Sequence, residues 1–187
     1  ILDTNSALAS SKLTGALPAI SGAALTGLPA GGKIAQVLST TKTDTFSTTS
    51  FPTFVDCTGL TVTITPAAAS SKIYVMLSIS GGGMSGFRYQ LVRDSTAIAI
   101  GTGSIGSRTA ASGAGSNRNY DELENPCANF LDSPSTTSAT TYKIQVSAES
   151  DQYGATNQGG INRSYDDADG SWQSRATSTI TVMEVSA

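Results

Sequence analysis

Hydrophobic and polar residues alternate along most of the chain after residue 32. The clearest alternation covers residues 142–149, where Tyr142, Ile144, Val146 and Ala148 are predicted to point inward and Lys143, Gln145 and Glu149 outward. Similar alternation marks residues 60–65, 73–79, 87–91 and 177–185, and shorter candidates lie at 34–38, 44–47, 53–55 and 97–100. A two-residue period with turn residues between the runs is typical of half-buried strands. The pattern therefore predicts an all-β, antiparallel sandwich or barrel without a substantial helix.

Two of the predicted strands are apolar on both faces. Tyr74 and Met76 lie opposite the apolar face of residues 73–79, and Met183 and Val185 lie opposite that of residues 177–185. Because only one face of a sandwich strand meets the core, the second face needs another partner. A subunit interface would supply it, and a loop packed over the sheet is the alternative.

The first thirty-two residues carry a short repeat. LTGALPA at residues 13–19 returns as LTGLPA at residues 25–30, twelve positions later. The segment holds too many Gly and Pro residues for a helix, and each unit is too small to bury its own leucines. We expect residues 1–32 to form a shaft or connector with Leu13, Leu17, Leu25 and Leu28 buried between identical chains, and residues 33–187 to form a β-sandwich head. A flexible linker with chance similarity is the alternative.

Composition excludes several classes of protein. The 187-residue chain has a net charge of −3, no His and only 13% charged residues, so it lacks the clustered basic side chains of a nucleic-acid binder. Its 39% hydrophobic content argues against disorder. No apolar run approaches the ~20 residues that a membrane-spanning helix needs, so no membrane insertion is expected. Because the chain begins at Ile1 rather than Met, we expect it to be the C-terminal piece of a longer protein.

The sequence offers no clear catalytic or metal-binding set. A nucleophilic triad through His is impossible, and no spacing singles out two carboxylates among Asp121, Glu122, Glu124, Asp132 and the cluster at Asp166. The residues Asp166–Gly170 are expected to form an acidic turn, with a bound cation as the alternative. Cys57 and Cys127 are expected to be small buried hydrophobes, a disulfide being the alternative. We therefore expect no enzymatic activity, catalytic residue, metal or cofactor.

Two long polar stretches interrupt the strand pattern, at residues 101–126 and 151–174. Both combine aromatic rings and arginines with small polar residues, a composition typical of recognition loops. The candidate ligand-binding residues are Arg118, Tyr120, Tyr153 and Tyr165. The alternative is a pair of solvated loops held down by one or two rings, and Trp172 is expected to be such an anchor.

Four segments of the chain resemble a known class of protein. The leader SSKLTGALPAISGAALTGLPAGG, the stretches GKIAQVLSTTKTDTFSTTS and GLTVTITPAAASSKIYVMLSIS, and the ending INRSYDDADGSWQSRATSTITVMEV are similar to C-terminal modules of bacteriophage tail-fibre and other virion appendage proteins, especially those of marine phages. The resemblance implies a virion component, homotrimeric, with a β-sandwich head similar to jelly-roll knobs. No receptor-binding residue can be transferred, because the loop compositions could vary freely.

These observations predict a non-enzymatic fibre tip. The head would attach the particle to a host-surface ligand, such as a glycan, through the two long loops, and Tyr74 and Met76 would lie at subunit contacts. The leader would join other virion proteins, and the fibre would be assembled in the bacterial host cytoplasm and exposed on the particle. A purely structural capsid or tail decoration without a ligand is the first alternative, and a glycan-cleaving tailspike enzyme is the second.

Overall fold

The computed structural model describes residues 34–103, 105–115, 120–150 and 158–186. Within them the chain forms twelve β-strands and no helix, so none that could cross a membrane. The strands are β1 Ile34–Lys42, β2 Phe46–Thr48, β3 Val55–Ile64, β4 Lys72–Ser78, β5 Gly81–Gly82, β6 Phe87–Arg93, β7 Thr96–Ile98, β8 Gly113–Gly115, β9 Cys127–Asp132, β10 Thr140–Ala148, β11 Gly159–Ile161 and β12 Ser178–Val185.

The eight main strands have the order of a jelly roll. One sheet, here called the four-stranded sheet, has the order β1-β12-β4-β9, and the second has the order β3-β10-β6-β7, with β8 beside β7 on the same edge of β6. Apart from the β6–β7 hairpin, successive main strands alternate between the two sheets. Every pairing is antiparallel, and β2, β11 and β5 form a small third sheet. The predicted all-β antiparallel sandwich is confirmed, and its strand order is that of a double Greek key.

The core lies between the two sheets and follows the alternation in the sequence. On β10, Tyr142, Ile144, Val146 and Ala148 are fully buried, whereas Lys143, Gln145 and Glu149 on the opposite face are partly exposed, as predicted. Their inward partners come from four other strands and include Leu60, Ile64, Ile73, Val75, Phe87, Tyr89, Ile180 and Val182.

The loop between β2 and β3 covers part of the outer face of the second sheet. Ser147 points outward from β10 but is fully buried beneath the segment between β2 and β3, and its hydroxyl donates a 3.2 Å hydrogen bond to the carbonyl of Ser50 in that segment. Nearby, the guanidinium of Arg88 lies 5.5 Å from the centre of the Phe51 ring and pairs with Glu149 at 3.0 Å. A loop packed over the sheet was the alternative expected for the two-faced strands β4 and β12. The structure has such a loop, but it lies on the other sheet.

The loops of the sandwich gather at two ends. The chain enters β1 at Ile34, whose partner Val185 ends β12, and the turn after β3 is bonded to the neighbouring Glu184. At the opposite end, Lys42 pairs with Ser178, the first residue of β12. The segments after β1, β4, β8 and β11 meet there, and we call this the loop end. About 26 Å of strand separate it from Ile34, at ~3.3 Å per residue.

Both cysteines are free thiols, and their environments differ. Cys57 is buried, as predicted, and burial raises the pKa of its thiol to about 12. Cys127 is exposed, so the expectation that it is a buried hydrophobe is wrong. It sits on the outer face of the four-stranded sheet, at the edge strand β9, where its inward neighbour Ala128 fills the core position.

The predicted shaft lies outside the described residues. The described part belongs to one compact unit, Gly32–Ala187. The leader with its two LPA units and four predicted buried leucines therefore stays a prediction, as does the boundary between a shaft and a head.

Candidate functional site

Asn162 holds the base of the loop end together. Its backbone has a φ of 61°, and its side-chain amide donates 2.9 Å hydrogen bonds to the carbonyls of Lys42 and Asp44. The Ser178 hydroxyl donates a 2.7 Å bond to the Asn162 side-chain oxygen and accepts one of 2.9 Å from the Ser80 backbone N–H. Since Asn162 and Ser178 are fully buried, the segments after β1, β4 and β11 are fixed by a satisfied polar network.

Tyr120 and Tyr165 bring the two long loops into contact above this base. Their ring centroids are 5.6 Å apart with an interplanar angle of 62°, an edge-to-face arrangement. The backbone N–H of Asp166 donates a 3.1 Å hydrogen bond to the Tyr120 carbonyl, which joins the loops through main-chain atoms as well. Tyr120 remains 50% exposed and Tyr165 is half-buried, so the pair presents aromatic surface to solvent.

Trp172 is the most exposed large hydrophobic side chain of the described residues, at 67%. Its ring lies against Gly170, where an added Cβ would collide with the indole. The expectation that Trp172 anchors the loop to the sandwich is therefore wrong. Gly170 is the glycine of the Asp166–Gly170 turn, and beside it the indole lies at the surface rather than in the core.

Polar bonds tie the Trp172 segment to the Tyr120 segment. The side-chain amide of Gln173 donates a 2.8 Å hydrogen bond to the carboxylate of Asp121, and its oxygen accepts a bond from the Ser164 hydroxyl. Tyr120 precedes Asp121 and Trp172 precedes Gln173, so this bond connects the two aromatic-bearing segments. We call Tyr120, Tyr165 and Trp172, with Asp121 and Gln173, the aromatic patch.

The acidic segment beside the patch folds as a turn stabilised by arginines. Asp167, at φ 53°, pairs with Arg163 at 3.2 Å and with Arg175. A hollow of about 230 Å³ opens between Asp167, Asp169, Gly170, Gln173 and Arg175. No group of three or more metal-ligating side chains occurs in the part of the chain that the structure describes.

The structure describes two of the four ligand-binding residues predicted from the sequence. Tyr120 and Tyr165 come together at the loop end, whereas Arg118 and Tyr153 lie outside the described residues. The sequence gives no signal for Asn162, whose role depends on a left-handed backbone and on contacts far along the chain, and it predicts a buried anchor at Trp172, which is exposed. Among the carboxylates considered for catalysis, Asp132 is buried against Arg93 at 2.8 Å, away from the patch.

No protein-family model matches the chain, and no curated protein does. Two solved structures of infectious bursal disease virus are similar to it. The Gt strain structure aligns at 16% identity over 81% of this chain and 38% of that chain, with a TM-score of 0.38. The Gx strain structure aligns at 15% identity over 90% of this chain and 44% of that chain, with a TM-score of 0.33. The chain spans less than half the length of either.

Proposed function

We propose that the chain is a structural protein of a virus particle, the homotrimeric tip of a bacteriophage fibre. Its jelly-roll head attaches the particle to a host-surface glycan, and its leader joins the head to other virion proteins. The fibre is assembled in the cytoplasm of the bacterial host and is exposed on the particle surface. No catalytic step and no cofactor belong to this function.

The observation that carries the attachment role is the aromatic patch at the loop end. Tyr120 and Trp172 are 50% and 67% exposed, on segments joined by the bond between Gln173 and Asp121. Exposed aromatic faces pack against the apolar C–H face of a sugar ring, and neighbouring carboxylates and amides hydrogen-bond its hydroxyls. An aromatic surface with fixed polar neighbours therefore suits a neutral or basic glycan.

The position of the patch also suits attachment. The chain enters the sandwich at Ile34, and the patch lies at the opposite end. A head joined to a particle through its leader would thus direct the patch outward. Three copies presented together gain avidity, so each site need not bind its glycan tightly.

Adsorption of particles to host cells tests the proposal. Particles carrying Tyr120→Ala and Trp172→Ala together should adsorb more slowly than wild type and lose inhibition by soluble host polysaccharide. The matched control is Thr61→Ala, an exposed change on the outer face of the second sheet, which should leave adsorption unchanged. Unchanged adsorption of the double variant, with intact oligomers, would reject the attachment role.

That result would favour the second candidate, a capsid or tail decoration that binds no ligand. The specific observation in its favour is the apolar outer face of the four-stranded sheet, where the exposed side chains of Val37 and Leu131 suit assembly into a particle. Particles lacking the protein separate the two roles: loss of particle stability with normal adsorption supports the decoration.

A further inference from the structure

An apolar row crosses the whole outer face of the four-stranded sheet. Val37 on β1 pairs with Met183 on β12, Met183 with Tyr74 on β4, and Tyr74 with Leu131 on β9. Directly paired residues share a face of the sheet, so these four side chains form one continuous band. Val37 and Leu131 are 55% and 54% exposed.

Further apolar side chains widen this band. Eight large hydrophobic side chains of the described residues are exposed, and four of them point outward from this sheet: Ile34, Val37, Met76 and Leu131. A concentration on one face differs from the single exposed hydrophobic residues that are ordinary on protein surfaces.

The outer face of the second sheet has the opposite character. Gln90 donates a 2.7 Å hydrogen bond to Gln145, which donates another of 2.7 Å to Asp56, and Lys143 pairs with Asp56 at 2.8 Å. Thr63 and Thr141 share a further bond of 2.9 Å. This ladder of polar side chains is typical of a sheet face in contact with water.

We propose that the outer face of the four-stranded sheet is the contact surface between copies of this chain. The inference rests on the proposed trimer and assigns the surface through which its heads meet. Copies that pack through this face with their strands along a three-fold axis run side by side, so their loop ends point in one direction. The same packing leaves each aromatic patch free.

The chemistry of the face favours a second copy over a different protein. Its outward side chains are uncharged across all four strands, apart from Lys72 at the margin. Identical chains, each with a net charge of −3, meet with least repulsion through an uncharged surface. A different partner would ordinarily be guided by complementary charge, and interfaces between identical chains are the more apolar class.

The shape of the face also favours a second copy of the chain as its partner. Beside Met76 lies a hollow of about 290 Å³, lined by side chains that include Ser78, Cys127, Asn129 and Thr181. The same face carries protruding side chains at Val37 and Leu131. A surface with both a hollow and protrusions can pack against another copy of itself.

The reactivity of Cys127 reports whether this face is covered, because its thiol lies on the face. The second thiol, Cys57, does not interfere, since it is buried and its pKa is raised to about 12. The experiment compares the full 187-residue wild-type chain with the Met76→Glu/Leu131→Glu variant and the Thr61→Glu control. Mass photometry gives the oligomeric state, circular dichroism the fold, and reaction with Ellman's reagent the exposure of the Cys127 thiol.

We expect wild type and Thr61→Glu to have about three times the 19.0 kDa chain mass, with Cys127 slow to react. The double variant should be a folded monomer whose Cys127 reacts about tenfold faster, since thiol reactivity follows exposure. If the double variant does not fold, the oligomeric state of the wild-type chain and the reaction rate of its Cys127 thiol still test the proposed interface. A trimer with fast Cys127 overturns the interface and leaves the proposed trimer standing. A monomer overturns both, and a monomer with slow Cys127 shows that the chain covers its own face.

Discussion

The backbone N–H of Ala67 donates a 2.8 Å hydrogen bond to the carboxylate of Glu184, 117 positions later in the chain. The Glu184 side chain is fully buried and also accepts a 2.6 Å bond from the side-chain amide of Gln36. Ala67 belongs to the turn between β3 and β4, Gln36 to β1 and Glu184 to β12. One carboxylate therefore fastens the turn to the first and last strands of the sandwich.

This arrangement predicts that stability falls in acid. Hydrogen bonds, first from Gln36 and then from the Ser71 hydroxyl and the backbone at Ala67 and Ala68, hold the pKa of Glu184 below its ordinary value of 4.5. A lowered folded-state pKa means that the contribution to stability is complete above the unfolded pKa and is lost as pH falls through the folded pKa. We expect the Tm to decrease below about pH 4.5, measured by circular dichroism at one protein concentration.

Glu184→Gln tests the source of this effect. The amide has one acceptor oxygen in place of two and turns an N–H₂ group toward donors, so we expect a loss of about 1–3 kcal/mol at pH 7. The variant should also show a weaker decrease in Tm between pH 5 and pH 3 (about the range of carboxylate titration). Glu122→Gln, an exposed change, is the matched control. An undiminished acid dependence in Glu184→Gln would assign it to other carboxylates.

Tyr142→Phe should destabilise the core without changing its packing. The Tyr142 hydroxyl donates a 2.6 Å hydrogen bond to Asp132, whose carboxylate also accepts 2.8 and 2.9 Å bonds from Arg93. Burial, together with the Asp132 carboxylate, raises the pKa of Tyr142, so the hydroxyl stays a donor at neutral pH. Because hydrogen bonds to charged groups are the stronger ones, we expect a loss of about 2 kcal/mol in urea unfolding. The same chemical change in the half-buried loop residue, Tyr165→Phe, should cost less.

The sequence predicts strands well where one face is polar, and less well elsewhere. Residues 142–148 alternate cleanly, and the strand forms as predicted. β9 was missed because Cys127 and Leu131 point outward while Ala128 and Phe130 point inward, which leaves no contrast between its faces.

Two predicted strands proved to be one. The sequence pattern predicts separate strands at residues 53–55 and 60–65, whereas β3 covers Val55–Ile64 with an irregular register opposite β10. Gly59, at φ 86°, lies in the irregular part, where its backbone interrupts the two-residue period. β5 and β11 consist mainly of glycines, so no side-chain pattern could indicate them.

The candidate site was predictable in composition but not in arrangement. Aromatic residues in long polar loops suggested Tyr120 and Tyr165, and the structure places their rings in contact. The exposure of Trp172 and the network around Asn162 depend on pairings between distant segments, which a single sequence does not reveal.

Asn162→Ala should loosen the loop end. The change removes the donors to Lys42 and Asp44 and the acceptor for Ser178, and it places Ala at a φ of 61°. Buried groups left without partners and the strained backbone together predict a loss of about 2–4 kcal/mol in thermal unfolding. Trypsin should also cleave faster at Arg163 or Arg175, on the loop that Asn162 begins. Ser171→Ala, an exposed change in the same loop, is the control, and equal cleavage rates would show that other contacts hold the loop.

Trp172 should report glycan binding directly. It is the chain's only Trp and is 67% exposed, so its fluorescence in the free protein should be readily quenched by acrylamide. A sugar ring stacked on the aromatic patch covers the indole, and quenching should then decrease with increasing concentration of host-surface polysaccharide. Tyr120→Ala should weaken this protection by about 1–2 kcal/mol of binding free energy, as expected for a buried aromatic contact. Thr61→Ala, on the outer face of the second sheet, should leave it unchanged. If polysaccharide that blocks adsorption leaves the quenching of Trp172 unaltered, the ligand binds elsewhere on the head.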